Sequence, residues 1–564
     1  MTAFRTHCAE FLQCGWLRVR CPTVHLLSLL LLTACTGPED FGTAPDVCVL
    51  PLADPPGCGT GLAGPDHLIP GPGQSGYDEE IAAKIDALDR LATALSAADT
   101  GASGVVSLTD ADDAALVDAF LETGEWRDAE LVSAVDTWHK ATGAFAGPAI
   151  AADAYRYGAL RDGGADCDEV AAARERMFDA LNTLHVAQQV TGTEGVIARA
   201  MLHNGLPGGD SIETTELFDG IGDALPYDKN NGTWRDDQSN LYPDIIWEDS
   251  ASRDQYIGWV TAMVAGWEVL QGDLDFPDEY RLRLRRDARA LAHSLMTVQE
   301  SGYDLEIRDA DGRMTYHGIL HEESVDRTYV PGASNALNPV MVLGIVAALA
   351  LIADDVEVDV WLHDELIEQR QLHALVRDHV GLNELGARTN YSNLNMAWLG
   401  AWLSQRFLCD TSARAAVAEG MEDLYSPTGQ TLYDLVRATT QGEVTAYGAR
   451  WDLEDSALLG PVQLGLFEYP AAPVWHDSVI QCDSDEIDAG ECVLNDGSMV
   501  TLLGYVGHGD SLVADAPLPM SARPRSTYYW RSDPHGVNGE GQPTNLLPAD
   551  DVRFVYWAGR WARR

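Results

Sequence analysis

Residues 77–98, YDEEIAAKIDALDRLATALSAA, place apolar side chains at Ile81, Ile85, Leu88, Leu91 and Leu95. A recurrence of three to four residues puts all five on one face of a helix. The same spacing returns over Asp110–Leu121, Glu125–Thr142, Cys167–Val190, Arg253–Leu270, Asp278–Ser301, Asn338–Ile352, Trp361–Val380, Asn393–Leu408 and Ser412–Leu424, mostly separated by Gly, Pro or Asp. Helices in series with such breaks predict antiparallel helical hairpins and an all-α body. β signals are local. Tyr303–Arg308 and Met314–His317 flank Asp309-Ala310-Asp311-Gly312 and read as a β-hairpin, and Met499–Val506 reads as a strand in a minor C-terminal β insertion.

Ahead of this body the apolar run Val24–Leu32 follows Arg18 and Arg20 and ends in Leu32-Thr33-Ala34-Cys35. A charged segment, a short apolar stretch and a small-residue cleavage site make a secretion signal, too short to span a bilayer. The terminal cysteine resembles the lipobox of bacterial lipoproteins, which implies acylation of Cys35 and a mature chain anchored to the cell envelope by lipid alone, facing the periplasm or exterior. Residues 1–34 are thus read as signal peptide. Residues 35–76, rich in Pro, Gly and Asp without a period, form a tether, and 77–564 a single domain.

The chain has 37 Lys+Arg against 87 Asp+Glu, a formal net charge of −50. With no positive excess to displace counterions from phosphates, nucleic acid is excluded as a partner. Beyond Cys35 stand six cysteines in a chain bound for an oxidising compartment. Close spacing pairs Cys48 with Cys58 and Cys482 with Cys492, and leaves Cys167 and Cys409 as a third bridge or as buried thiols. None has the CxxC spacing of a zinc or redox site.

Four stretches, in order, resemble a group of uncharacterised bacterial secreted proteins with an (α/α)6 toroid, the architecture of six-hairpin glycosidases and several polysaccharide lyases. They are Thr191–Arg199 (TGTEGVIAR), Trp247–Gly258 (WEDSASRDQYIG), Asp311–Gly318 (DGRMTYHG), and Arg523-Pro524 with Trp530–Pro534 (WRSDP). The resemblance implies a toroid of helical hairpins whose central funnel binds or processes a polysaccharide or oligosaccharide. It implies no cofactor and leaves the reaction open, since one fold hosts many chemistries.

Glycoside hydrolysis needs two carboxyl groups flanking the scissile bond. The candidates are Asp249, in a loop, and Asp254, in the first turn of the next helix, where the helix dipole favours a charged base. Arg253 stands between them in sequence. The structural alternative is that Asp249 or Ser252 caps that helix while Arg253 and Asp254 tie loops together. Trp234 and Trp247, on polar stretches, are candidate stacking platforms for sugar rings, whereas Trp259 and Trp267 share one helical face and belong to the core. A lyase would use a Tyr or His base with Arg or Asn to neutralise an acid group, and His321, Arg327, Asn390, Tyr391 and Asn393 supply those types. His317, His321, Glu322 and Glu323 lack the helical His-Glu-x-x-His spacing, so no metal is assigned. The acidic run Asp483–Glu491 departs from the EF-hand order at Ile487 and reads as a solvated, disulfide-closed loop. The competing functional reading is a non-catalytic envelope scaffold that binds a protein partner.

Overall fold

The computed structural model describes residues 67–562, apart from 125–131, 219–229, 272, 274, 441–442, 446–447, 451–455, 507–510, 527 and 529–530. The segment read as a signal peptide, Cys35, Cys48, Cys58 and most of the segment read as a tether lie outside the described residues. All described residues belong to one unit. The body begins ahead of the expected boundary at Gly76, because the Leu68 and Ile69 amides donate to the carbonyls of Ala562 and Gly559 in the last helix.

Among the described residues twelve helices build the body. They are α1 Glu79–Leu91, α2 Gly143–Asp162, α3 Cys167–Gln189, α4 Arg253–Leu270, α5 Asp278–Met296, α6 Leu337–Ala353, α7 Leu372–His379, α8 Tyr391–Phe407, α9 Thr411–Leu424, α10 Thr431–Thr440, α11 Ser456–Glu468 and α12 Asp550–Trp561. Burial sorts them into two alternating classes. The even-numbered helices are buried on nearly every side, as in α4, where every residue from Gln255 to Leu270 is buried. The longer odd-numbered ones bury a single stripe, such as Tyr280, Leu284, Ala288, Leu291 and Leu295 of α5. A helix apolar all round sits inside other helices, and an amphipathic one forms the outer layer.

Packing follows the same alternation. Helix α2 packs on α4, α4 on α6, α6 on α8, α8 on α10, α10 on α12, and α12 returns to α2. The outer helices α1, α3, α5, α7, α9 and α11 lie against this inner series. Two inner pairs touch backbone to backbone through glycine: a Cβ on Gly258 of α4 would strike the carbonyl of Gly143 in α2, and one on Gly400 of α8 would strike Val340 and Met341 of α6. Further along, Arg406 of α8 pairs with Glu268 of α4, which also accepts from the Tyr155 hydroxyl of α2 at 3.1 Å. Tyr155, Trp402 and Phe554 fill the interior around this charge pair.

The last helix is locked in by charge. The Arg553 guanidinium lies 2.7 Å from Asp89 of α1 and 2.6 Å from Asp153 of α2, with Asp550 at 3.6 Å, and Asp153 also accepts from Arg176 of α3 at 2.9 Å. Burial would pull the Arg553 guanidinium down, but Asp153 and Asp89 outweigh it and raise its pKa.

Small antiparallel sheets decorate the ends. Strand β1 Val106–Leu108 pairs with β2 Val135–Trp138 and with Asn545-Leu546. A four-stranded sheet orders β3 Ala141–Thr142, β4 Ala200–His203, β6 Ile245–Glu248 and β5 Trp234–Asp236. The expected hairpin is β7 Glu306–Arg308 with β8 Met314–Ile319, and the expected C-terminal strand is Met499–Tyr505, in a three-stranded sheet with Glu491–Val493 and Leu512–Ala514. The Cys482–Cys492 bridge closes the acidic loop; Cys167 and Cys409 are each disulfide-bonded rather than free thiols, and the expected bridge between the two is not found among the described residues.

Three expectations are corrected. Described residues within Glu125–Thr142 contain β2 and β3, so that span is not one helix. Trp361–Val380 breaks at Gln371, whose left-handed φ of 53° separates a π-helical segment from α7. Helices α2, α10, α11 and α12 stand where no helix was expected. In α2, Gly, Ala and an internal Pro148 occupy a cylinder buried on all sides, leaving no polar face to create a period.

Two expected outcomes test this architecture. Gly258→Ala should lose about 1–3 kcal/mol by overpacking, although alanine is the better helix former by about 1 kcal/mol; urea unfolding followed by circular dichroism gives the sign. Arg553→Met removes the buried cation that Asp89 and Asp153 share, leaving Asp153 to Arg176 and Asp89 to Arg156, and should cost about 3–5 kcal/mol, read in the same assay.

Candidate functional site

The first turns of α4, α6 and α8 open onto one cavity of about 690 Å³. Its wall carries Ser252, Arg253 and Asp254 from the start of α4, Asn335 and Asn338 from the start of α6, and Asn390, Ser392, Asn393 and Met396 from the start of α8. Arg199, His317, Ser324, Asp326 and Arg531 complete it from loops and hairpins. Residues from all four stretches that carry the toroid resemblance, up to 332 positions apart in the chain, therefore meet here: Arg199, Ser252 to Asp254, His317 and Arg531.

Local geometry explains the convergence. Ser252 caps α4 in a reciprocal box with Gln255. Ser250 is held at a left-handed φ of 64°, which is strained for a residue with a Cβ. Its amide donates to both carboxylate oxygens of Asp309 at 3.0 Å, and its hydroxyl accepts the Tyr316 amide at 2.9 Å. Those bonds fasten the α4 loop to the β7–β8 hairpin and so place His317 on the wall of the same cavity as Asp254. On the far side Asn390 caps α8 by accepting the Asn393 amide.

Within the cavity Asp254 accepts from Ser252 Oγ at 2.5 Å and from Arg531 Nη2 at 2.8 Å. Burial would raise its carboxyl, but Arg531, the Ser252 hydroxyl and Arg199 prevail and hold it below the ordinary carboxylate value. Arg531 is itself steadied by Ser392 Oγ at 3.0 Å. His317 Nδ1 lies 3.1 Å from Asp326 Oδ1, and Asp326 also has a left-handed φ, of 55°. The Asn338 amide group is spent on the Ile319 and His321 carbonyls and Ser324 Oγ, so its role is to hold that loop, while its Oδ1 accepts from Arg253 Nη1 at 2.9 Å. The cavity thus offers an ionised carboxylate, an imidazole oriented by a carboxylate, three guanidinium groups and several amides. Such a set can bind a polyhydroxylated ligand and move a proton.

Of the residues singled out in the sequence, Ser252, Arg253, Asp254, His317 and Asn393 line this cavity, together with Asn390. The others lie elsewhere. Asp249 is buried, accepting from Arg235 at 2.7 and 3.1 Å and from the Thr233 amide at 2.8 Å, so the proposed Asp249–Asp254 pair does not face one ligand. Trp247 is buried in the core and donates to the Asp236 carbonyl, and Trp234 packs on the apolar cluster around Val106 and Trp138; neither offers a stacking face to the cavity. Tyr391 is 3% exposed, with its carbonyl accepting from Tyr433. His321 joins Glu322 and Asp304 beside Arg370, and burial lowers its pKa. Arg327 sits at a turn tip with its guanidinium 4.0 Å over the Tyr316 ring. His317 and His321 thus point to different partners, and among the described residues no group of three or more His, Cys, Asp or Glu is gathered as a metal site.

Sequence reasoning passed over Arg199, Asp326 and Arg531 as site residues. Two of them were visible only as members of the resembling stretches, and Asp326 carried no signal. No family model, curated protein or solved structure matches the chain.

The two aspartates should separate cleanly. Asp249→Asn removes the buried carboxylate that Arg235 holds at 2.7 Å and should destabilise by about 3–5 kcal/mol; Asp254→Asn, at the cavity wall, should cost far less. The depressed Asp254 pKa means its contribution is complete above the unfolded carboxyl value near 3.9 and is lost only as pH falls through the lower folded value. The stability difference between wild type and Asp254→Asn should therefore be constant from about pH 5 to 8, measured by denaturant titration.

Proposed function

We propose that the chain is an extracytoplasmic bacterial lipoprotein, acylated at Cys35, whose body is an (α/α)6 toroid that binds and processes carbohydrate in its central funnel. The observation that carries this reading is the cavity itself. It opens at the N-terminal ends of inner helices, it is closed further down by Tyr155, Trp402, Phe554 and the Arg406–Glu268 pair, and four resembling sequence stretches converge on its wall. Six inner and six outer helices alternating along the chain support the toroid.

The proton-handling groups are His317, oriented by Asp326, and the Asp254 carboxylate. Asp254 is held ionised by Arg531, which suits a base or an electrostatic stabiliser and disfavours a proton donor. Removal of a proton from the sugar, or activation of water for hydrolysis, would fall to His317 or Asp254. The asparagines at the starts of α6 and α8 would hold hydroxyl groups.

A specific feature favours the second reading, a protein-binding scaffold. The C-terminal sheet exposes Val493, Met499, Leu503 and Tyr505, with Met499 68% and Tyr505 59% accessible. Isolated apolar residues are ordinary on a surface, whereas a contiguous set marks a contact site.

A panel of oligosaccharides screened for new reducing ends and for unsaturated product separates the readings. Product release by wild type that falls at least about 100-fold in His317→Ala or Asp254→Asn, with both variants folded, is the expected outcome. Turnover unaffected by either substitution would remove the site assignment. Silence on every glycan, together with capture of an envelope protein lost on Met499→Glu, would favour the scaffold.

A further inference from the structure

Resting on the carbohydrate reading, we propose that the funnel is selective for an acidic saccharide, one bearing a carboxylate or sulfate, and that Arg253 is the group that receives the anion. The chain as a whole is strongly acidic, yet the charged lining of this cavity is three arginines against two aspartates. A local inversion of sign in an acidic protein calls for a reason.

The ion pairs show which arginine is unspent. Arg531 is matched by Asp254 at 2.8 Å. Arg199 faces Glu248 at 3.5 Å, a carboxylate it shares with Lys140 at 2.6 Å. Its Nε is buried and finds no hydrogen-bond acceptor among the described residues, so even this pairing leaves a donor unsatisfied. Arg253 is half-buried at the first turn of α4 and makes one hydrogen bond, to the neutral Asn338 amide oxygen, and it forms no ion pair among the described residues. A guanidinium carries five donors in a planar fork that matches the two oxygens of a carboxylate or sulfate. The rest of the Arg253 fork is not sealed in the protein but borders the cavity, where a ligand can replace the water on it. The open side of the cavity is where that ligand can enter.

The surroundings agree with an anion at this place. The starts of α4, α6 and α8 all border the cavity, and helix N-termini favour negative charge. The two carboxylates near Arg253 have closer partners, Asp254 in Arg531 and Asp326 in the His317 ring and Arg327, and neither hydrogen-bonds Arg253 among the described residues. A neutral glycan would leave the Arg253 fork unmatched, whereas an acidic one fills it and leaves its hydroxyls to Asn393 and its neighbours.

The test is calorimetric titration of the full chain with oligosaccharides of matched length: a neutral glucan, an oligouronate, the same oligouronate methyl-esterified, and a sulfated glucan. Expected is binding of at least one acidic ligand, weakened at least tenfold in Arg253→Gln, partly restored in Arg253→Lys, and weakened by salt. Preference between oligouronate and sulfated glucan identifies the anion. Equal affinity for the oligouronate and its ester together with equal affinity for the sulfated and neutral glucans, or acidic-ligand affinity unchanged in folded Arg253→Gln, overturns the proposal while the carbohydrate reading stands. Esterification makes the comparison on wild-type protein, should the variants not fold. Absence of binding to all four ligands overturns this proposal and the carbohydrate reading together.

Discussion

The buried Arg553 guanidinium is the constraint on which the arrangement of inner helices depends. It belongs to α12, and its two close partners belong to α1 and α2, some 400 positions or more earlier in the chain. The series of inner helices can close only if the last one returns to the first, and shape-blind apolar packing would tolerate several angles of return. A guanidinium clasped by two carboxylates tolerates few, because an uncompensated buried charge is far more costly than an imperfect van der Waals contact. Trp557 reinforces the same geometry by donating to Asp89 at 2.8 Å. The charge group thereby specifies where α12 docks, while the apolar surface around it supplies most of the favourable free energy.

Close approach at the glycines completes this geometry. Gly147 and Gly258 let α2 and α4 meet at backbone distance, and Gly344 and Gly400 do the same for α6 and α8. Both contacts narrow the interior at the level below the cavity. With Tyr155, Trp402 and Phe554 filling the remaining space, the interior is open at the N-terminal end of the inner helices and shut below it. A pocket so formed is lined by first-turn residues and by the loops that feed them, which explains why its side chains come from remote parts of the chain. Two of the left-handed non-glycine residues belong to these loops: Asp326 lines the cavity, and Ser250 is buried behind it, tying the α4 loop to the hairpin.

Electrostatics act there at short range. At physiological ionic strength the field of exposed acidic residues fades over about 8 Å, so the overall negative charge does not decide what a recessed site accepts. Inside the cavity Arg199, Arg253 and Arg531 outnumber Asp254 and Asp326. The ionised state of Asp254 likewise comes from its neighbours, since burial alone would push it the other way.

Much of this was legible in the chain. The amphipathic outer helices α1, α3, α5 and α9 showed themselves by period, the β7–β8 hairpin by its turn, Cys482–Cys492 by spacing, and Arg253 and Asp254 by their place at the start of α4. Those features are local, set by neighbours three to ten residues away, and a sequence carries that information directly. What the sequence left open depends on burial and on meetings between remote segments. Helix α2 has almost no polar face, because other helices surround it, so it carries little amphipathic signal, whereas α10 and α12 keep polar side chains such as Asp434 and Arg553 that are buried in hydrogen bonds and ion pairs. Asp249 and Asp254 look alike five residues apart, yet one meets Arg235 in the core and the other meets Arg531 at an open wall. Only the tertiary structure decides between a carboxylate that holds a loop and one that lines a cavity, because that choice rests on which distant cation the fold delivers to each.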